Sequence, residues 1–80
     1  MNAMVIQSMI FGMAGAPRYK GFLAQRIDGA LAQLAEAAPE VRRMVPTEDV
    51  QMLCDYCVGK RKWDIELDGA ITRLEAALGA

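Results

Sequence analysis

Ile27-Asp28-Gly29-Ala30-Leu31-Ala32-Gln33-Leu34-Ala35-Glu36-Ala37-Ala38 returns forty residues later as Leu67-Asp68-Gly69-Ala70-Ile71-Thr72-Arg73-Leu74-Glu75-Ala76-Ala77-Leu78. In both stretches apolar residues recur every three or four positions, the spacing of one helix face. A second echo lies upstream of each. Ile6-Gln7, Met9-Ile10 and Met13-Ala14-Gly15 answer Val50-Gln51, Leu53-Cys54 and Cys57-Val58-Gly59. Self-similarity at this spacing marks a repeated supersecondary unit, here a helical hairpin. Chance likeness between two alanine-rich amphipathic helices is the competing explanation. The hairpins themselves rest on apolar stripes and chain breakers rather than on identity.

Working outward, the breakers divide the chain into two hairpins, over about 3–38 and 47–79, joined by a linker at 39–46. The first segment, 3–14, carries Ile6, Met9, Ile10 and Met13 at helical spacing. Met4, Val5 and Phe11 leave it almost no polar face, so a strand from Met4 to Phe11, ended by Gly12, stays open beside the helix. Gly15-Ala16-Pro17 and Arg18-Tyr19-Lys20-Gly21 form the first tip. The next helix carries Leu23, Ile27, Leu31, Leu34 and Ala38 as its stripe, and Pro39 ends it. The linker has room for one helical turn.

Thr47 is the expected N-cap of the third helix, with Glu48 and Asp49 in its positive first turn. Val50, Leu53, Cys54, Cys57 and Val58 form its stripe, and Gly59 supplies a left-handed stop. Asp64 caps the last helix, whose stripe is Leu67, Ile71, Leu74 and Leu78, ending at Gly79. Asp28-Gly29 and Asp68-Gly69 are turn signals, but the apolar spacing runs unbroken across both, so both helices are read through them. The expected fold is all-α: a single domain, 1–80, forming a small four-helix bundle. Short connections make up-down-up-down the default order, with hairpins exchanged between subunits as the alternative.

Composition bounds the function. Eighty residues make one small domain, yet 54% are hydrophobic, more than a lone small core readily hides. That surplus predicts a homo-oligomer. Gly29 and Ala32, with Gly69, Thr72 and Ala76, project away from the core stripes, and such small residues let another backbone approach closely. They are the expected oligomer contact, against the plainer reading that alanine is a good helix former. A net charge of −1 argues against non-specific nucleic-acid binding by the whole molecule. The apolar start lacks the basic region of a secretory signal, despite a Gly-Ala-rich end that resembles a cleavage site, and is too short to span a bilayer. With two cysteines, this predicts a cytoplasmic, reducing setting and no membrane. Alanine richness suits a GC-rich bacterium or its phage.

The two tips hold the expected recognition residues. All three lysines lie there, as do three of the five aromatics. Arg18, Tyr19, Lys20, Lys60, Arg61, Lys62 and Trp63 form the candidate set, with Phe22 adjoining. In an up-down-up-down bundle both tips fall at one end. Cations and aromatic faces there suit an acidic protein surface, a nucleotide or a single strand. The plainer reading is that loops are polar and that Trp63 covers the core.

Catalysis finds little support. The chain has no histidine, and Ser8, Thr47, Thr72 and the tyrosines stand beside no evident base. Cys54-Asp55-Tyr56-Cys57 is a C-x-x-C, but it falls on an apolar stripe rather than at a helix N-terminus, and four zinc ligands are lacking within one chain. Buried structural cysteines are expected, with no metal and no cofactor; an all-cysteine site shared by two subunits is the alternative. The expected function is a non-catalytic interaction protein, an adaptor, inhibitor or assembly factor that occupies a partner protein. A nucleotide- or nucleic-acid-binding module at the tips is the alternative.

Overall fold

In the computed structural model, residues 6, 7, 9, 10 and 21–79 are described, and among them there is no strand. Four helices follow one another: α1, Phe22–Glu36; α2, Pro39–Met44; α3, Thr47–Cys57; and α4, Ile65–Ala77. Ahead of them Ile6, Gln7, Met9 and Ile10 are helical too, which decides for helix over strand at those positions. Ile6 and Ile10, one turn apart, are buried in the core. The remainder of the 3–14 segment and the first tip, with Arg18, Tyr19 and Lys20, lie outside the described residues.

Both Asp-Gly pairs sit inside continuous helix, as the unbroken stripes require. Ile27, Leu31 and Leu34 of α1, Val50, Leu53 and Cys57 of α3, and Leu67, Ile71 and Leu74 of α4 are sealed from solvent. Ala30, Ala35 and Ala70 are buried among them, where small side chains let helix backbones approach. α1 packs on α2, α3 and α4, and α3 packs on α4. The shortest dimension, 18 Å, leaves room for two layers of helices.

Two prolines shape the connection between α1 and α3. Each pushes its predecessor out of the helical region. Ala38 is extended at ψ 148° before Pro39, and Val45 at ψ 124° before Pro46. α1 therefore stops at Glu36, and Ala38, expected on its stripe, is exposed beyond it. Pro39 opens α2 from its first turn, where its missing N–H costs nothing. The linker is thus a six-residue helix rather than a loop with one optional turn.

The expected cap of α3 is corrected. Pro46 occupies the N-cap position, Thr47 is the first helical residue, and no side chain caps this end. At the other end the expectation holds. Gly59 takes φ +87°, Lys60 N–H donates to Asp55 O at 2.8 Å and Gly59 N–H to Tyr56 O at 3.2 Å, a Schellman ending. Asp64 accepts from Leu67 N–H at 2.9 Å and caps α4.

Two ion pairs tie the helices to one another. Arg73 of α4 grips Asp49 of α3 through Nε at 2.7 Å and Nη2 at 2.9 Å. Arg26, in the second turn of α1, pairs with Glu75, in the last turn of α4. Asp68, two turns earlier on α4, also acts on the Arg26 charge, so Arg26 faces this length of α4.

Candidate interaction surface

The second tip is built by the two helix ends that flank it. The Schellman turn closes α3, the Asp64 cap opens α4, and residues 60–63 are left between them. Arg61 is drawn back onto the cap. Its Nη2 donates to both Asp64 oxygens, at 3.1 and 2.9 Å, and lies 3.7 Å from Glu66. The Leu67 N–H first, and Arg61 after it, hold the Asp64 carboxyl below the usual carboxylate range. Arg61 is therefore engaged within its own chain, unlike the freely presented cation that the sequence suggests.

Its neighbours are presented outward. Lys60 and Lys62 are exposed, and neither makes an ion pair with a described residue. Trp63 is 56% exposed, so it does not cover the core. Ile65, which the sequence reading did not single out, is 81% exposed beside it. The signal for Ile65 was its place: the first helical residue lies off the stripe Leu67-Ile71-Leu74, and a large apolar side chain there faces water. Phe22 and Met44 are the other exposed large apolar residues described.

An open groove of about 430 Å³ runs along α3 and ends at this tip, lined by Thr47, Glu48, Gln51, Met52, Asp55 and Arg61. Arg61 apart, its lining side chains, two carboxylates, an amide and a thioether among them, come from one flank of a single helix. Gln51 Nε2 donates to Asp55 at 2.8 Å. Thr47 Oγ1 and Arg61 Nε are buried in its walls without a hydrogen-bond partner. Among the described residues, no other member of the sequence-predicted set lines it.

The small residues expected to form an oligomer contact have mixed surroundings. Gly29, Ala32, Thr72 and Ala76 are exposed. Gly69 is not bare: a Cβ built there would meet the Arg73 guanidinium at 3.2 Å. Thr72 returns its hydroxyl to Asp68 O at 2.9 Å within its own helix.

Cys54 and Cys57 are buried on the α3 stripe, in the half of the helix away from its N-terminus. Among the described residues no group of three histidine, cysteine, aspartate or glutamate side chains is placed to hold a metal, and no helix is long and apolar enough to cross a membrane. Comparison of the chain with protein-family models, curated proteins and solved structures finds no match.

Proposed function

We propose that this chain is a non-catalytic interaction protein that occupies the surface of a partner protein through its second hairpin tip. The observation that carries this reading is the exposure of Trp63 and Ile65 just beyond the exposed Lys60 and Lys62. A tryptophan and an isoleucine held in water by a fixed helix cap gain apolar burial on docking, and tryptophan is enriched among residues that dominate interface energies. Lys60 and Lys62 beside them favour an acidic partner face and reject a basic one. Cys54 and Cys57 belong to the core in this reading.

The test uses the full chain as bait in a lysate of its source. Lys60→Glu, Lys62→Glu and Trp63→Ala together should abolish capture of the partner while leaving the helical circular dichroism intact. Capture that survives the triple change refutes the tip. If capture instead fails on changing Met9, the contact surface is the apolar first segment. Capture that weakens steeply with salt and vanishes after nuclease treatment replaces the reading with the nucleic-acid one.

A further inference from the structure

The tip and the α3 groove adjoin, since Arg61 lines the groove and stands between Lys60 and Lys62. They are also opposite in character. The tip offers two ammonium groups, Trp63 and Ile65, while its own carboxylates, Asp64 and Glu66, are turned to Arg61. The groove offers Glu48 and Asp55, two helical turns or about 10 Å apart, with the thioether of Met52 between them. The Arg61 charge within the groove is already met by Asp64 and Glu66. Two adjoining patches that complement each other form a self-complementary surface under a two-fold rotation, where each patch of one copy meets the other patch of its mate.

We propose that a second copy of this chain docks here, each copy seating Lys60, Lys62 and Trp63 on the Glu48–Asp55 groove of the other. The ammonium groups meet the carboxylates, and Trp63 lies against Met52, a pairing that sulfur–aromatic contact favours. A net charge of −1 leaves little repulsion between copies. The proposal rests on the interaction reading in one respect: the same tip serves both contacts, so a partner protein and a second copy compete for it. The dimer is a stored form that a partner must open.

Sedimentation of the purified chain alone tests this without any partner. The wild type should sediment as a dimer of its 8.7 kDa chain. Lys60→Glu with Lys62→Glu should give monomers, and so should Glu48→Lys with Asp55→Lys, with helical content retained in each. An equimolar mixture of the two variants should return to dimer, because the reversed tip meets the reversed groove and the two unaltered patches meet each other. Glu48→Lys alone, at an exposed position, serves if loss of the Gln51–Asp55 bond disturbs α3. A monomeric wild type at millimolar concentration, variants that remain dimeric, or a mixture that stays monomeric would each overturn the pairing. Partner capture that survives the tip reversal while the dimer is lost would strike the proposed function and spare this inference.

Discussion

Arg42 and Arg43 are identical side chains in opposite surroundings. Arg42 is 8% exposed and donates through Nη1 to Ala35 O at 3.3 Å and to Ala37 O, closing the C-terminal end of α1. Gln7 Nε2 reaches the same Ala35 carbonyl at 3.0 Å from the other side. Hydrogen bonds from a charged donor contribute roughly 1.5–3 kcal/mol, and here they also answer carbonyls that a helix end leaves unpaired. The Nε of Arg42 has no partner, which offsets part of the gain. Arg42→Met is therefore expected to cost about 2 kcal/mol in urea unfolding, and Arg43→Met, at an exposed position, less than about 0.5. Equal losses would remove the capping role. Residue type alone did not distinguish the two, because the difference lies in which one the α2 turn points at the end of α1. Thr47 was misread for a similar reason: threonine before acidic residues is a capping signal, but Pro46 takes the position and leaves the hydroxyl inside.

At the scale of the element, the two interior glycines have different neighbours. A Cβ at Gly29 meets nothing within 4 Å, whereas one at Gly69 meets Arg73 Nη1 at 3.2 Å. Alanine is favoured over glycine in a helix interior by about 1 kcal/mol. Gly29→Ala should thus raise stability by about that amount, and Gly69→Ala by less, since it presses on a guanidinium that Asp49 holds. Equal gains measured by thermal unfolding would mean that Arg73 yields without cost. A fall in stability for Gly29→Ala would instead point to a close backbone contact with another subunit at that face. The helices α1, α3 and α4 were legible because each carries a stripe of large apolar residues ended by proline or glycine. α2 was legible only as an optional turn. Six residues carry too little periodicity, and its helix depends on the way Ala38-Pro39 and Val45-Pro46 confine the backbone at either end.

The charge pairs that join helices across the whole molecule were the least legible feature, because their partners are distant in sequence. Arg26 and Glu75 are unremarkable charges on exposed helix faces until the fold brings α1 and α4 together. The same pairs set how the molecule meets acid. Hydrogen bonding from Arg26 holds the Glu75 carboxyl below its ordinary range, and the Leu67 N–H and Arg61 do the same for Asp64. Both groups release their protons more readily folded than unfolded, so the unfolded chain binds more protons in the carboxylate range. Stability from these groups is fully present above about pH 4.5 and is lost as pH falls through their lowered folded values. Asp64→Asn with Glu75→Gln isolates this contribution, since asparagine caps a helix as well as aspartate does. The double variant should lose less stability than the wild type between pH 6 and pH 3 when both are unfolded in urea. Added salt should narrow the difference, because the Arg26–Glu75 pair is partly exposed and screened. Equal acid sensitivity in the two proteins would show that neither carboxylate is linked to folding.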